Sequence, residues 1–64
     1  MSFKSCIGKT VLIVTKTGEE FFGVVEDYFF SDDSEQNQES IVIRIPEGYL
    51  IEFTQNEIET IETV

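Results

Sequence analysis

Residues 9–30 read "KTVLIVTKTGEEFFGVVEDYFF", a run apolar and β-branched enough to be one strand were it not for two glycines, Gly18 and Gly23, five positions apart. Gly18 falls between Val11-Leu12-Ile13-Val14 and Phe21-Phe22, with Thr17 before it. This is the place of a tight hairpin tip, where glycine accepts positive φ at little cost. Gly23 interrupts the second run and has no side chain to pack, and interior strand glycines mark a sharp bend or a bulge. Together they predict a first strand over residues 9–16 and a long, bent second strand over residues 19–30 that serves both halves of a small barrel.

Val11 to Val14 are apolar on both sides of the pleat, as in a strand covered on both faces. On the second strand a period of two puts Phe21, Val25 and Phe29 on one side with Gly23, and Phe22, Val24, Tyr28 and Phe30 on the other. Both sides carry more apolar surface than one small core needs, which suggests a barrel wall with one side capped or packed against another subunit.

The flanking segments complete the outline. "SFKSCIG" has room for about one helical turn, with Ser2 as N-cap and Gly8 ending it in a left-handed conformation. "SDDSEQNQES", residues 31–40, has no apolar residue and four carboxylates, and predicts a solvated loop or a frayed hairpin end. Asp32, Asp33 and Glu35 lack the Asp-x-Asp-x-Asp-Gly spacing of a calcium loop, so no metal site is expected there. "SIVIRI" alternates, with Ile41, Ile43 and Ile45 on one face. "PEG" then supplies a hairpin connection and "YLIEFT" the next strand. Ile58 and Ile61, three apart, predict a 3₁₀ turn before a last short strand ending near Val64. Five short strands with one glycine bend fit an all-β barrel of a single domain, residues 1–64, better than a sandwich.

A chain of 64 residues is near the lower limit at which one core outweighs chain entropy. With one cysteine and no histidine it has neither an internal disulfide nor a zinc-type ligand set for support, which leaves a second copy of itself. Cys6 is expected as a small buried hydrophobe. The start of the chain is too short and polar for a signal peptide, and no apolar run approaches the roughly 20 residues of a membrane span, so the expectation is a soluble cytoplasmic protein without membrane contact.

Thirteen carboxylates against Lys4, Lys9, Lys16 and Arg44 give a formal charge of −9, which repels phosphate backbones. Any surface attractive to nucleic acid has to be local and near the start of the chain. Catalysis needs a nucleophile with a base, a tuned carboxylate or a metal. Glu26 and Asp27 are adjacent on a strand and face opposite ways, so they do not form an acid–base pair. No enzyme activity and no cofactor are expected.

The pattern Val11, Ile13, Gly18, Phe22, Gly23, Val25 and Tyr28, preceded by the short helical turn, resembles the first motif of the Sm-like (LSm) barrels over roughly residues 3–30. Gly-x-x-x-x-Gly between two strands also occurs in other SH3-like barrels. The resemblance implies a small, five-stranded, strongly bent SH3-like or Sm-like barrel with a short N-terminal helical turn. It also implies homo-oligomeric rings in which the fourth strand of one subunit pairs with the fifth of the next, and Tyr49, Ile51, Phe53 and Ile61 are the candidate interface residues. Three departures bear on function: Phe29 stands where the family carries an aspartate, Thr54-Gln55-Asn56-Glu57 replaces an Arg-Gly turn, and the loop that faces RNA in the family is acidic and longer. The base-reading site is therefore not carried over.

The expected function is a non-enzymatic binding and assembly module. If RNA or single-stranded nucleic acid is its ligand, the candidate contacts are Lys4, Lys9 and Lys16 together with Tyr28 and Phe29, aromatic rings being able to stack bases. For the aromatic cluster, packing in a core or an interface is the competing role. The alternative is an acidic protein-interaction module or regulator that binds basic protein surfaces.

Overall fold

The computed structural model describes residues 3–33 and 36–64. A short 3₁₀ turn, Phe3–Cys6, leads into β1 (Thr10–Thr15), β2 (Glu20–Asp33), β3 (Gln36–Arg44) and β4 (Leu50–Thr54); a second 3₁₀ turn, Gln55–Glu57, precedes β5 (Ile58–Thr63). The strands form one antiparallel sheet in the order β4-β3-β2-β1-β5. The first four make a meander and β5 returns to the free side of β1. The sheet bends into an open barrel whose edges, β4 and β5, do not pair with each other.

The bend is built on β2. Its residues 20–24 pair with β1 and its residues 24–33 with β3, so one strand belongs to both halves. Gly23 permits this: a Cβ there would overlap the carbonyl oxygen of Arg44 and stand 3.3 Å from the Cα of Ile45. At the β1–β2 hairpin Gly18 has φ +90°, and its N–H donates to the carbonyl of Thr15 at 2.9 Å. The sequence places both glycine roles correctly.

The core joins Val11 and Ile13 of β1, Val25 of β2, Ile41 and Ile43 of β3, Phe53 of β4, Ile58 and Ile61 of β5, and Cys6, which is buried as expected. The N-terminal turn is tied down by the Gly8 N–H, which donates to the Val25 carbonyl at 2.8 Å. Ser2, the expected N-cap, lies outside the described residues.

Three expectations are corrected. The first concerns β2, where Val25 pairs with Ile43 but Asp27 with Val42, so Glu26 is an extra residue. One inserted residue exchanges the two faces beyond it. Tyr28, opposite the buried Ile41, therefore packs against the core, while Phe29 is 51% exposed instead of following Val25 inward. The second concerns the C-terminal segment: the 3₁₀ turn lies before Ile58, not across Ile58 and Ile61. Its Glu57 carboxylate accepts from the Thr54 N–H at 3.0 Å and the Thr54 hydroxyl at 3.1 Å. Both isoleucines are on β5, where Ile13 pairs with Ile61, Val14 with Thr60 and Thr15 with Ile58; Glu59 is skipped, and the skip turns both isoleucines inward. The third concerns residues 31–40, which are strand wherever described, pairing Ser31 with Gln38 and Asp33 with Gln36. The hairpin reading holds there and the loop reading does not.

Candidate interaction surfaces

The structure divides the cations. Lys4 and Lys9 are exposed beside the N-terminal turn, and Lys16 is exposed at the far end of β1. At about 3.3 Å per residue, β1 holds Lys9 and Lys16 roughly 20 Å apart. Arg44 is in an exposed ion pair with Glu26 at 3.4 Å, the one such pair among the described residues. Among the described residues no second ion pair offsets the carboxylates.

The aromatic candidates also separate. Tyr28 is half-buried and donates its hydroxyl to the Glu39 carboxylate at 2.8 Å, while the Glu39 N–H donates to the Gln55 side chain at 2.8 Å. This chain ties β2 and β3 to the turn before β5. The hydrogen bond to Glu39, then burial, then the charge of Glu39 raise the Tyr28 pKa above its ordinary 10.0. Phe29 lies on the other face with half its surface in solvent, so the two rings do not form one stacking platform.

Of the candidate interface residues, Tyr49 is 70% exposed and Ile51 is half-buried, but Phe53 and Ile61 belong to the core, at 4% and 9%. Their side chains are consumed by the monomer. The backbone edges of β4 and β5 are unpaired within the sheet, and Leu50 of β4 is exposed.

A groove of about 330 Å³ runs between the β1–β2 turn, the start of β2, β4 and the 3₁₀ turn before β5. Phe21, Ile51 and Phe53 supply its apolar lining, the rings of Phe21 and Phe53 meeting at 5.1 Å and 55°. Exposed carboxylates of Glu19, Glu52 and Glu57 border it, and Lys16 is the single cation among its lining residues. Glu57 is partly engaged by Thr54, and Glu19 accepts from the Thr17 hydroxyl at 3.2 Å. Sequence reasoning did not find this groove, because its residues come from two stretches, 15–21 and 51–57, that lie some thirty residues apart in the chain.

Among the described residues no three His, Cys, Asp or Glu side chains converge as a metal site needs, and no helix is long and apolar enough to cross a membrane. Fold and surface define a small open β-barrel with an acidic exterior. Compared with protein-family models, curated proteins and solved structures, the chain matches none.

Proposed function

We propose that the chain is a non-enzymatic assembly module of the Sm-like kind, which joins copies of itself edge to edge, β4 of one on β5 of the next, into a ring that presents a surface to RNA or single-stranded nucleic acid. The observation that carries this reading is the strand order, which leaves β4 and β5 as the two open edges of one bent sheet. An unpaired strand edge is a template for another strand, and a head-to-tail contact between two different edges closes into a ring when its rotation allows. Burying both edges also gives a domain this small the additional surface its own core lacks. Repetition around a ring multiplies the weak local charge of Lys4 and Lys9. The native mass, measured by light scattering at low and high salt, tests the assembly. A stable particle of about five to eight copies of the 7.3 kDa chain supports it, and a monomer at every concentration overturns it.

A second reading, an acidic module that binds a basic protein surface, is favoured by the charge distribution: thirteen carboxylates in the chain and one ion pair among the described residues. Salt titration of binding separates the two. Salt-sensitive affinity for a polyanion supports the first, and affinity for a basic protein with none for nucleic acid supports the second.

A further inference from the structure

We infer that the groove between the β1–β2 turn and β4 is a binding site for an arginine side chain carried on a basic segment of a partner protein. The inference rests on the second reading above for the class of partner.

The groove combines features that suit a guanidinium better than other ligands. Phe21 and Ile51 pack against the core but keep part of their apolar surface open to the groove, and Glu19, Glu52 and Glu57 border it. Arginine has a long aliphatic stem and a planar, weakly hydrated head that stacks on aromatic faces and pairs with carboxylates through two parallel hydrogen bonds. A phosphate meets three like charges here, against one lysine. A hydrated divalent cation gains nothing from the phenylalanines. The lysine ammonium is more strongly hydrated and loses more on entering an apolar cleft, so the site discriminates between the two basic residues. Glu52 and Glu19 are exposed, so altering either leaves the core intact. Glu57 also anchors the turn before β5 and is a poorer choice for a test.

The experiment is a titration of the isotopically labelled full chain, followed by amide chemical shifts, with a capped Gly/Ser peptide bearing arginine and its lysine and citrulline counterparts. The expected result is shift changes gathered at Thr15 to Glu19, Ile51 to Phe53 and Glu57, with arginine bound about three-fold or more tighter than lysine and about ten-fold or more tighter than citrulline. Glu52→Gln weakens binding by roughly five- to ten-fold, Phe21→Leu weakens it while the spectrum stays folded, and Glu62→Gln, on the outer face of β5, changes it less than about two-fold. If Glu62→Gln is as damaging as Glu52→Gln, or lysine binds as well as arginine, general attraction to an acidic protein explains the binding. The groove assignment then falls while the acidic-module reading stands. If none of the peptides binds, both fall.

Discussion

The carbonyl group of Arg44 lies against Gly23 so closely that a Cβ at that position would stand 2.9 Å from its carbon and overlap its oxygen. This contact lets β2 leave β1 and join β3 within one residue, because Val24 is paired to both neighbours. Gly23→Ala forces two backbones apart and is expected to cost about 2–3 kcal/mol in urea unfolding. Gly18→Ala meets no atom within 4 Å and suffers only from its φ of +90°, for a cost of about 1 kcal/mol. Equal losses at the two positions would show that the close approach is not what Gly23 serves.

The skipped Glu59 predicts an asymmetric pattern along β5. Ile58 and Ile61 are both nearly buried, although three residues apart on a strand, while Glu59 and Thr60 are exposed. Ile58→Ala and Ile61→Ala should each lose on the order of 2–5 kcal/mol, against less than about 0.5 kcal/mol for Glu59→Ala. A strand of plain alternation would spare one of the two isoleucines, and thermal or urea unfolding of the three variants decides.

Tyr28 makes stability depend on alkaline pH. Its pKa is raised in the folded chain, first by the hydrogen bond to Glu39, while the unfolded chain titrates near 10.0. A raised folded pKa stabilises the protein below the unfolded value, and this contribution is lost as pH rises through the folded one. The stability difference between the wild type and Tyr28→Phe should therefore be constant below pH 10 and narrow above it, as read by urea unfolding at about pH 7 and about pH 11. A gap unchanged across that range would place the Tyr28 hydroxyl outside the Glu39 contact.

With a charge of −9 on a body of radius of gyration 11.3 Å, self-repulsion acts over the whole molecule at low salt. The screening length is about 30 Å at 0.01 M and about 8 Å at 0.15 M. The melting temperature should rise by a few degrees between those conditions. A fall would point instead to attractive pairs, of which Arg44 with Glu26 is the one between described residues.

The apolar parts of the first four strands, the hairpin at Gly18, the turn at Pro46 to Gly48 and the bend at Gly23 were legible in the sequence, because each rests on local chemistry: β-branched runs, a residue that tolerates positive φ, a residue without a side chain. The burial of Cys6, Val11, Ile13, Ile41 and Ile43 follows from the same patterns. Tertiary pairing decided what those patterns do not contain. The extra residue at Glu26 and the skip at Glu59 are irregularities of the pairing register, and they put Tyr28, Phe29, Ile58 and Ile61 on the faces they occupy. Phe53 and Ile61 belong to the core of the bent sheet, while Tyr49 stays exposed and the backbone edges of β4 and β5 stay unpaired within the sheet. The acidic groove needs the tertiary fold, which sets the β1–β2 turn beside β4 and the last 3₁₀ turn. A periodicity of two along one strand cannot encode a site assembled from segments distant in sequence.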